Sequence, residues 1–342
     1  MRICRLNEIT KFTTGKLNSN AAVENGKYPF FTCAPKPLKI DKYTFDTKAV
    51  ILAGNNADGN FHIQYFDGKF NAYQRTYVIE VKDSNKADIK YIYYALKQCL
   101  NHFKKISHGT ATKFLTAKIL NTFEIPLPDL EIQKKIALYL SSIDNKIKIN
   151  EEINNNLLEQ IFSIYKKIFI DNINENRKIC RADEYFDISI GKTPPRKEQH
   201  WFSMNKEDVR WVSISDMGNC GVYINNSSER LTKLAVDRHK IKIVPDNTVI
   251  LSFKLTVGRI AITNGEMVTN EAIAHLKTEN KYINEYLYCY LKHFNFKTMG
   301  STSSIATAIN SKIIKGMPFV IPDEDEIEYF HSIHYLFLIK LK

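Results

Sequence analysis

The chain has 342 residues, 44% of them hydrophobic, and a formal net charge of +11, which is too long for one ordinary core and about right for two domains. Glycine (13) and proline (10) are too scarce for a collagen-like or low-complexity chain, and the first ten residues lack the apolar stretch of a secretory leader. No run of about 18 apolar residues occurs, so no membrane span is expected; the six cysteines form no C-x-x-C pair, which argues against a zinc site or disulfide framework and fits a reducing cytoplasm.

The charge is unevenly placed. Residues 1–129 carry a net +8, residues 130–177 a net 0, residues 178–322 a net +6 and residues 323–342 a net −3. Two basic blocks separated by a neutral segment suit a polyanion partner, although many soluble proteins are equally basic without one.

The blocks echo each other. ICRLNEITKFTTGK, starting at Ile3, and ICRADEYFDISIGK, starting at Ile179, share six identical positions in one register. VILAGNN at Val50 meets VILSFKL at Val249, IKYIYYAL at Ile89 meets NEYLYCYL at Asn284, and AKILNTFEIPLP at Ala117 meets SKIIKGMPFVIP at Ser311. The offsets of 176, 199, 195 and 194 preserve one order, so two domains of one fold are expected. Each copy reads as mixed α/β. AVILAG, YQRTYVIEV, DVRWVSISD and NTVILSF have strand composition, and NGK, DGN and DGK suit tight hairpins or loops. A tyrosine-rich helix is expected near residues 89–100 and again near 284–294, its tyrosines serving core packing in preference to a stacking platform.

Between the copies, Ile136, Leu140, Ile143, Ile147, Asn150, Asn154, Leu157, Ile161, Ile164 and Ile168 follow unbroken alternating steps of four and three. That is a heptad seam on one long helix, which needs a partner to bury it. Pro126 and Pro128 precede it, with Asp129 as the N-cap. Asn150 and Asn154 interrupt the seam, either to fix register or at a wet gap. A similar spacing returns in Ile327, Phe330, His334, Phe337 and Leu341, over about half the length. The expected fold class is α+β: a first domain at 1–129, a long coiled-coil spacer helix at 130–172, a second similar domain at 173–322 and a short second spacer helix at 323–342.

The block IPLPDLEIQKKIALYLSSIDNKIKINEEIN, with WVSISDMG at Trp211, VILSFKLTVGRIAI at Val249 and TNEAIAHL at Thr269, resembles the specificity subunits of type I restriction–modification systems. GKLNSNAAVENGKYPFFTC at Gly15 and FNAYQRTYV at Phe70 are similar to the first recognition domain of that family. The resemblance covers nearly the whole chain. It implies two target-recognition domains, each reading half of a split double-stranded DNA sequence, with helices that space them and dock two methyltransferase (modification) subunits. It implies no catalytic site here: adenine methylation belongs to the modification subunits and cleavage to a separate restriction motor subunit. The shortened tail departs from the family's pattern.

Candidate DNA contacts lie in polar loops between the shared blocks. In the first domain they are Lys16, Asn18, Asn55, Asn56, Asp58, Gln74, Arg75, His108, Thr110 and Lys113. In the second they are Lys192, Arg196, Ser213, Ser215, Asp216, Lys254, Thr256, Arg259, Asn270 and Ser304. Lysine and arginine suit guanine edges or phosphates, and asparagine and glutamine suit adenine. For any one of them, a solvated loop or turn role is the more common reading. Lys16 and Lys192 share the repeated Gly-Lys position, which suits a phosphate clamp.

Catalytic readings find little support. PDLEIQK carries acidic residues and a lysine, but on a heptad helix, where capping and solvated charge explain them. There is no G-x-x-x-x-G-K-[ST] loop, no G-x-G-x-x-G fingerprint and no H-x-x-x-H pair. No cofactor and no metal are expected. Two other readings stand beside DNA recognition: a truncated or silent cassette that needs another specificity chain, and a coiled-coil adaptor that binds DNA without sequence preference.

Overall fold

The computed structural model describes residues 2–172, 177–280, 282–299 and 309–338, with side chains as far as 333. The chain divides into two compact units, Met1–Ile149 and Asn150–Lys342. Among the described residues no helix is long and apolar enough to cross a membrane.

The first unit begins with β1 (Arg2–Arg5), a helical turn α1 (Leu6–Ile9) and β2 (Thr10–Thr14). β3 (Tyr28–Phe31), β4 (Leu38–Ile40), β5 (Phe45–Ala53), β6 (Asn55–Asn56), β7 (Ile63–Ala72) and β8 (Thr76–Val81) follow. Then come α2 (Ile89–Gln98), α3 (Leu100–Ile106), β9 (Lys113–Phe114), α4 (Ala117–Thr122) and β10 (Glu124–Leu127). Six strands form one sheet in the order β2-β8-β5-β7-β3-β4, while β1 pairs with β10 and β6 with β9.

The run AVILA is buried throughout because apolar side chains pack against it on both faces of β5. Val50 and Leu52 point to one face, among Ile92 and Leu96 of α2. Ala49 and Ile51 point to the other, among Phe31 and Phe70. Asp88 caps α2, its carboxylate accepting the Tyr91 N–H at 2.8 Å. One expected turn is absent: Asp67-Gly68-Lys69 lies inside β7, paired with β5, and Gly68 (φ +129°) takes a backbone conformation that only glycine enters readily.

A long helix, α5 (Leu130–Tyr165), continues into a π-helical stretch at Lys166–Asp171. The two units divide within it, because each end is packed into its own unit. At the start, fully buried Gln133 donates to Pro128 O (2.7 Å) and Lys86 O (3.2 Å) and accepts from Asp88 N (2.9 Å). At the end, Ile161, Tyr165 and Phe169 enter the core of the second unit. The seam follows suit. Ile161 is buried, and Ile136, Leu140, Asn154, Leu157, Ile164 and Ile168 are half-buried. Asn150 is exposed, and Ile143 and Ile147 remain 54% and 52% exposed.

The second unit repeats the frame. β11 (Ile179–Arg181), α6 (Ala182–Tyr185) and β12 (Asp187–Ile190) come first, then β13 (Phe202–Ser203), β14 (Val209–Val212), α7 (Ile214–Asn219), β15 (Tyr223–Ile224) and β16 (Glu229–Leu231). They are followed by α8 (Lys233–Arg238), β17 (Val249–Ser252), β18 (Ile260–Thr263), β19 (Val268–Thr269) and β20 (Ile273–Lys277). The unit ends with α9 (Ile283–His293), α10 (Ser311–Lys315), β21 (Pro318–Val320) and α11 (Glu324–Leu338). The order β12-β20-β17-β18-β15 matches β2-β8-β5-β7-β3 strand for strand, and β11 pairs with β21 as β1 does with β10. A second sheet, β13-β16-β14-β19, is an insertion special to this unit. The expected strand DVRWVSISD stops at Val212, since Ser213 and Asp216 form a capping box that starts α7. In α11, Ile327 and Phe330 are buried; the side chains of His334 and Phe337, and the whole of Leu341, lie outside the described residues.

One contact recurs in both units. Tyr91 OH donates to Pro126 O at 2.6 Å, and Tyr286 OH donates to Val320 O at 2.9 Å. Pro126 lies across from Ile3, and Val320 from Ile179, so the same phenol meets the same rung of the closing ladder. Tyr91→Phe and Tyr286→Phe should each lower unfolding free energy by about 1 kcal/mol, because a part-buried hydrogen bond is lost. Urea titration checks this, and unchanged midpoints in both variants would contradict it.

Candidate nucleic-acid interface

In the first unit all the candidates lie at one end of the large sheet, where β2, β5 and β9 stop and β7 and β8 start. Backbone bonds draw four connections together there. Gly54 N–H donates to Arg75 O (2.8 Å), Leu115 N–H to Gly54 O (2.9 Å) and Gln74 N–H to Leu17 O (2.9 Å). Gly15 is the tightest point: an added Cβ would lie 1.7 Å from Ala72 O, so no other residue fits. The repeated glycine is therefore a packing requirement, and it delivers Lys16 to the edge. Lys16 is exposed and makes no hydrogen bond or ion pair among the described residues.

Around Lys16 the side chains form a partly bonded polar surface. Gln74 Nε2 donates to Asn18 Oδ1 at 2.8 Å. The Arg75 guanidinium sits 5.5 Å from the Phe114 ring centre. Both line a cleft of about 440 Å³ with Thr14, Gly54, Tyr77 and Phe114. β6 and β9 set Asn56 across from Lys113, and His108 exchanges backbone bonds with Phe114 at 3.1 and 2.8 Å. Some candidates also have local duties. Asn56 Oδ1 accepts from the N–H groups of Asp58 (2.9 Å) and Asn60 (3.0 Å), which shapes that loop. Asn55 Oδ1 accepts the Cys33 thiol at 2.8 Å. Asp58, His108 and Thr110 are exposed. The sequence reading passed over Lys104, which donates to Asn60 Oδ1 at 2.8 Å, and Phe114, whose ring supports Arg75.

The second unit gathers its candidates at the equivalent end. Lys192 N–H donates to Thr269 O (2.9 Å), Asn270 N–H to Val212 O (3.0 Å) and Phe253 N–H to Ala272 O (2.9 Å). A Cβ on Gly191 would lie 2.2 Å from Asn270 O, the counterpart of Gly15. Ser215, Lys254 and Thr256 are exposed there, and Asn270 Oδ1 accepts from Ala272 N at 3.1 Å.

Other candidates here are committed to the fold. Arg196 makes two 2.9 Å bonds to Glu229 and stacks on Phe202 and Trp211, 4.3 and 4.5 Å from their ring centres. Ser213 and Asp216 cap α7, and Asp216 also accepts from Ser228 N at 3.0 Å. Arg259 donates to Ile214 O. The Lys192 ammonium donates to His239 O at 2.8 Å, so the repeated Gly-Lys position keeps an unengaged cation only in Lys16. Ser304 lies outside the described residues. Among the described residues no His/Cys/Asp/Glu cluster could hold a metal ion.

A family model described as the type I restriction modification DNA specificity domain matches residues 1–159 and again 174–329. The chain belongs to that family. It is 37% identical over 162 residues to the specificity subunit of the type I restriction enzyme EcoDI of Escherichia coli, a match covering 47% of this chain and 34% of that protein. It is 23% identical over 317 residues to a putative MjaX specificity subunit of Methanocaldococcus jannaschii, covering 85% and 72%. The chain thus spans about a third of the EcoDI subunit's length. The crystal structure of the type I S subunit from M. genitalium has the same fold, with a TM-score of 0.65 at 17% identity over 99% of this chain and 90% of that one. Two copies of the family's domain account for the two sequence repeats.

Beneath the second edge, His275 is fully buried, with Nδ1 3.0 Å from Ser189 Oγ and Nε2 2.8 Å from Thr269 Oγ1. Burial, aided by Lys277 and Lys242, pulls its pKa down to about 3, so the folded chain holds it neutral. The unfolded histidine takes up a proton near pH 6.5, so its stabilising contribution is full above that pH and is lost progressively as pH falls toward 3. Unfolding free energy should drop by about 2 kcal/mol between pH 7 and pH 5 on this account alone. Denaturant titrations of wild type and His275→Gln at both pH values check this. An equal pH slope in the two proteins would rule it out.

Proposed function

We propose that the chain is the non-catalytic DNA-reading component of a type I methyltransferase assembly, each unit presenting its loop-bearing sheet end to one half of a bipartite duplex target. The observation that carries this reading is the recurrence of one topological edge in both units, each lined with amides, hydroxyls and cations. Loops at strand ends can change chemistry without disturbing the ladders behind them, as a recognition surface requires. Membership of the specificity family supports the same reading.

The physical advantage is multiplication. One unit reads a few base pairs, each correct pair worth about 1–3 kcal/mol. Two units on one chain raise the effective concentration of the second contact, so two short specificities act as one long one. Lys16 supplies phosphate attraction, which positions without discriminating; Gln74 and Asn18 supply amide groups suited to adenine. Methyl transfer and cleavage belong to partner subunits that dock on the chain.

A second reading is favoured by Ile143 and Ile147, which leave the middle of the seam half-exposed. There a second specificity-type chain supplies the covering helix. A purified complex with two copies of this chain per modification partner would support it, and a single copy would exclude it.

Co-expression with the neighbouring modification subunit, followed by methylome sequencing, should give a split motif with methylated adenine in both halves. No motif from a soluble, partnered chain would refute the main reading. Gln74→Ala should relax preference at one position of the first half-site by about 1–3 kcal/mol. Lys16→Ala should weaken all duplexes alike and reduce the log–log salt slope by about 1. Titrations at several salt concentrations separate the two effects.

A further inference from the structure

The connection between β17 and β18 contains a feature that the packing of the second unit does not use. Leu255 is 97% exposed, the highest value among the large hydrophobic residues described. It also holds φ at +62°, a region that leucine rarely enters. Neither property is accidental to a loose loop, because the connection is tightly built. Thr256 N–H donates to Lys254 O at 2.7 Å, a tight turn centred on Leu255. Ser252 clamps the base: its hydroxyl donates to Thr256 O (2.6 Å) and accepts from Arg259 N (3.0 Å), and its carbonyl accepts from Gly258 N (3.0 Å). Gly258, at φ +86°, lies close enough to the Phe296 ring that an added Cβ would come within 3.3 Å.

An apolar side chain is thus held out into water on a strained backbone, at the edge that carries Asn270 and Ser215. Strain of this kind persists where the surroundings over-determine it, and it clusters at functional positions. The polar residues of the edge can address donors and acceptors on bases. The one apolar feature a base pair offers in the major groove is the 5-methyl group of thymine. The loop joining β17 and β18 projects from the end of the five-stranded sheet, with Leu255 at its tip and exposed Lys254 beside it for the neighbouring phosphate.

We propose that Leu255 is the apolar reading residue of the second unit, packing on the 5-methyl group of a thymine in the half-site that this unit reads. This rests on the DNA-reading function argued above. The contact discriminates A·T from G·C by shape and apolar surface, where the polar side chains discriminate by hydrogen bonds.

The test uses the full chain with its co-purified modification subunit and duplexes carrying the target found by methylome sequencing. Each thymine of the second half-site is replaced in turn by deoxyuridine, which removes only the methyl group. At one position the wild type should bind about fourfold more weakly, the effect of one methyl-sized contact. Leu255→Ala should bind the thymine duplex roughly tenfold more weakly than wild type and no longer distinguish thymine from deoxyuridine there. Leu255→Gly, which relieves the backbone strain, should match Leu255→Ala on DNA while its Tm equals or exceeds that of the wild type, so that misfolding is not the cause. If the wild type binds target and random duplexes alike, the DNA-reading function fails and the proposal with it. If the wild type prefers its target but no deoxyuridine duplex separates it from Leu255→Ala, only the role of Leu255 falls. A Leu255→Ala chain that binds DNA normally but loses its modification subunit also overturns the proposal.

Discussion

A phenol hydrogen-bonded to a strand carbonyl closes each unit. Tyr91 and Tyr286 reach from the helix covering the sheet to the ladder formed by the first and last strands of their units. Burial pushes both phenols up from their ordinary range, so each keeps its proton to donate. The bond ties the covering helix to a ladder only three or four rungs long that joins two distant chain segments. With it, helix, ladder and sheet form one packed body at that end of the unit.

The two ends of each unit are held differently, which explains where the polar chemistry sits. The closing end is held by apolar packing and short ladders. The opposite end is held by backbone bonds between connections, such as Gly54 to Arg75 and Lys192 to Thr269. Side chains there are consequently available, except where a particular neighbour engages them. Arg196 illustrates the exception, since Glu229 and two aromatic rings hold it. Lys16 and Lys192 illustrate how one sequence position can diverge: the glycine before each is fixed by close approach, but only Lys192 has a carbonyl within reach of its ammonium.

Much of this was legible in the sequence. The repeat was, because Gly15 and Gly191 answer a close backbone approach, and Tyr91 and Tyr286 a hydrogen bond to the closing strand, that leave little choice. The long helix was legible from its period. Strand order was not, since it depends on partners far apart in the chain. Nor was the engagement of Arg196, whose carboxylate partner lies 33 residues away. Asp67-Gly68-Lys69 has the composition of a turn, but its neighbours' pairing with β5 carries the strand through it. Leu255 was passed over because an apolar residue in a β-rich run reads as core, and only the structure places it in water.

The loop-bearing edge has a consequence for how such a chain can change over time. Its connections are secured chiefly by main-chain groups, which nearly any residue supplies. Exchanging the side chains of exposed residues there removes few buried contacts, so most replacements are thermodynamically cheap. The inserted sheet of the second unit shows how far this tolerance extends, since four short strands were accommodated beside an unchanged five-strand order. A lineage built on this frame can drift among recognition surfaces while its folding energy stays nearly level, and novelty is limited by what the new surface binds instead of by whether the chain still folds.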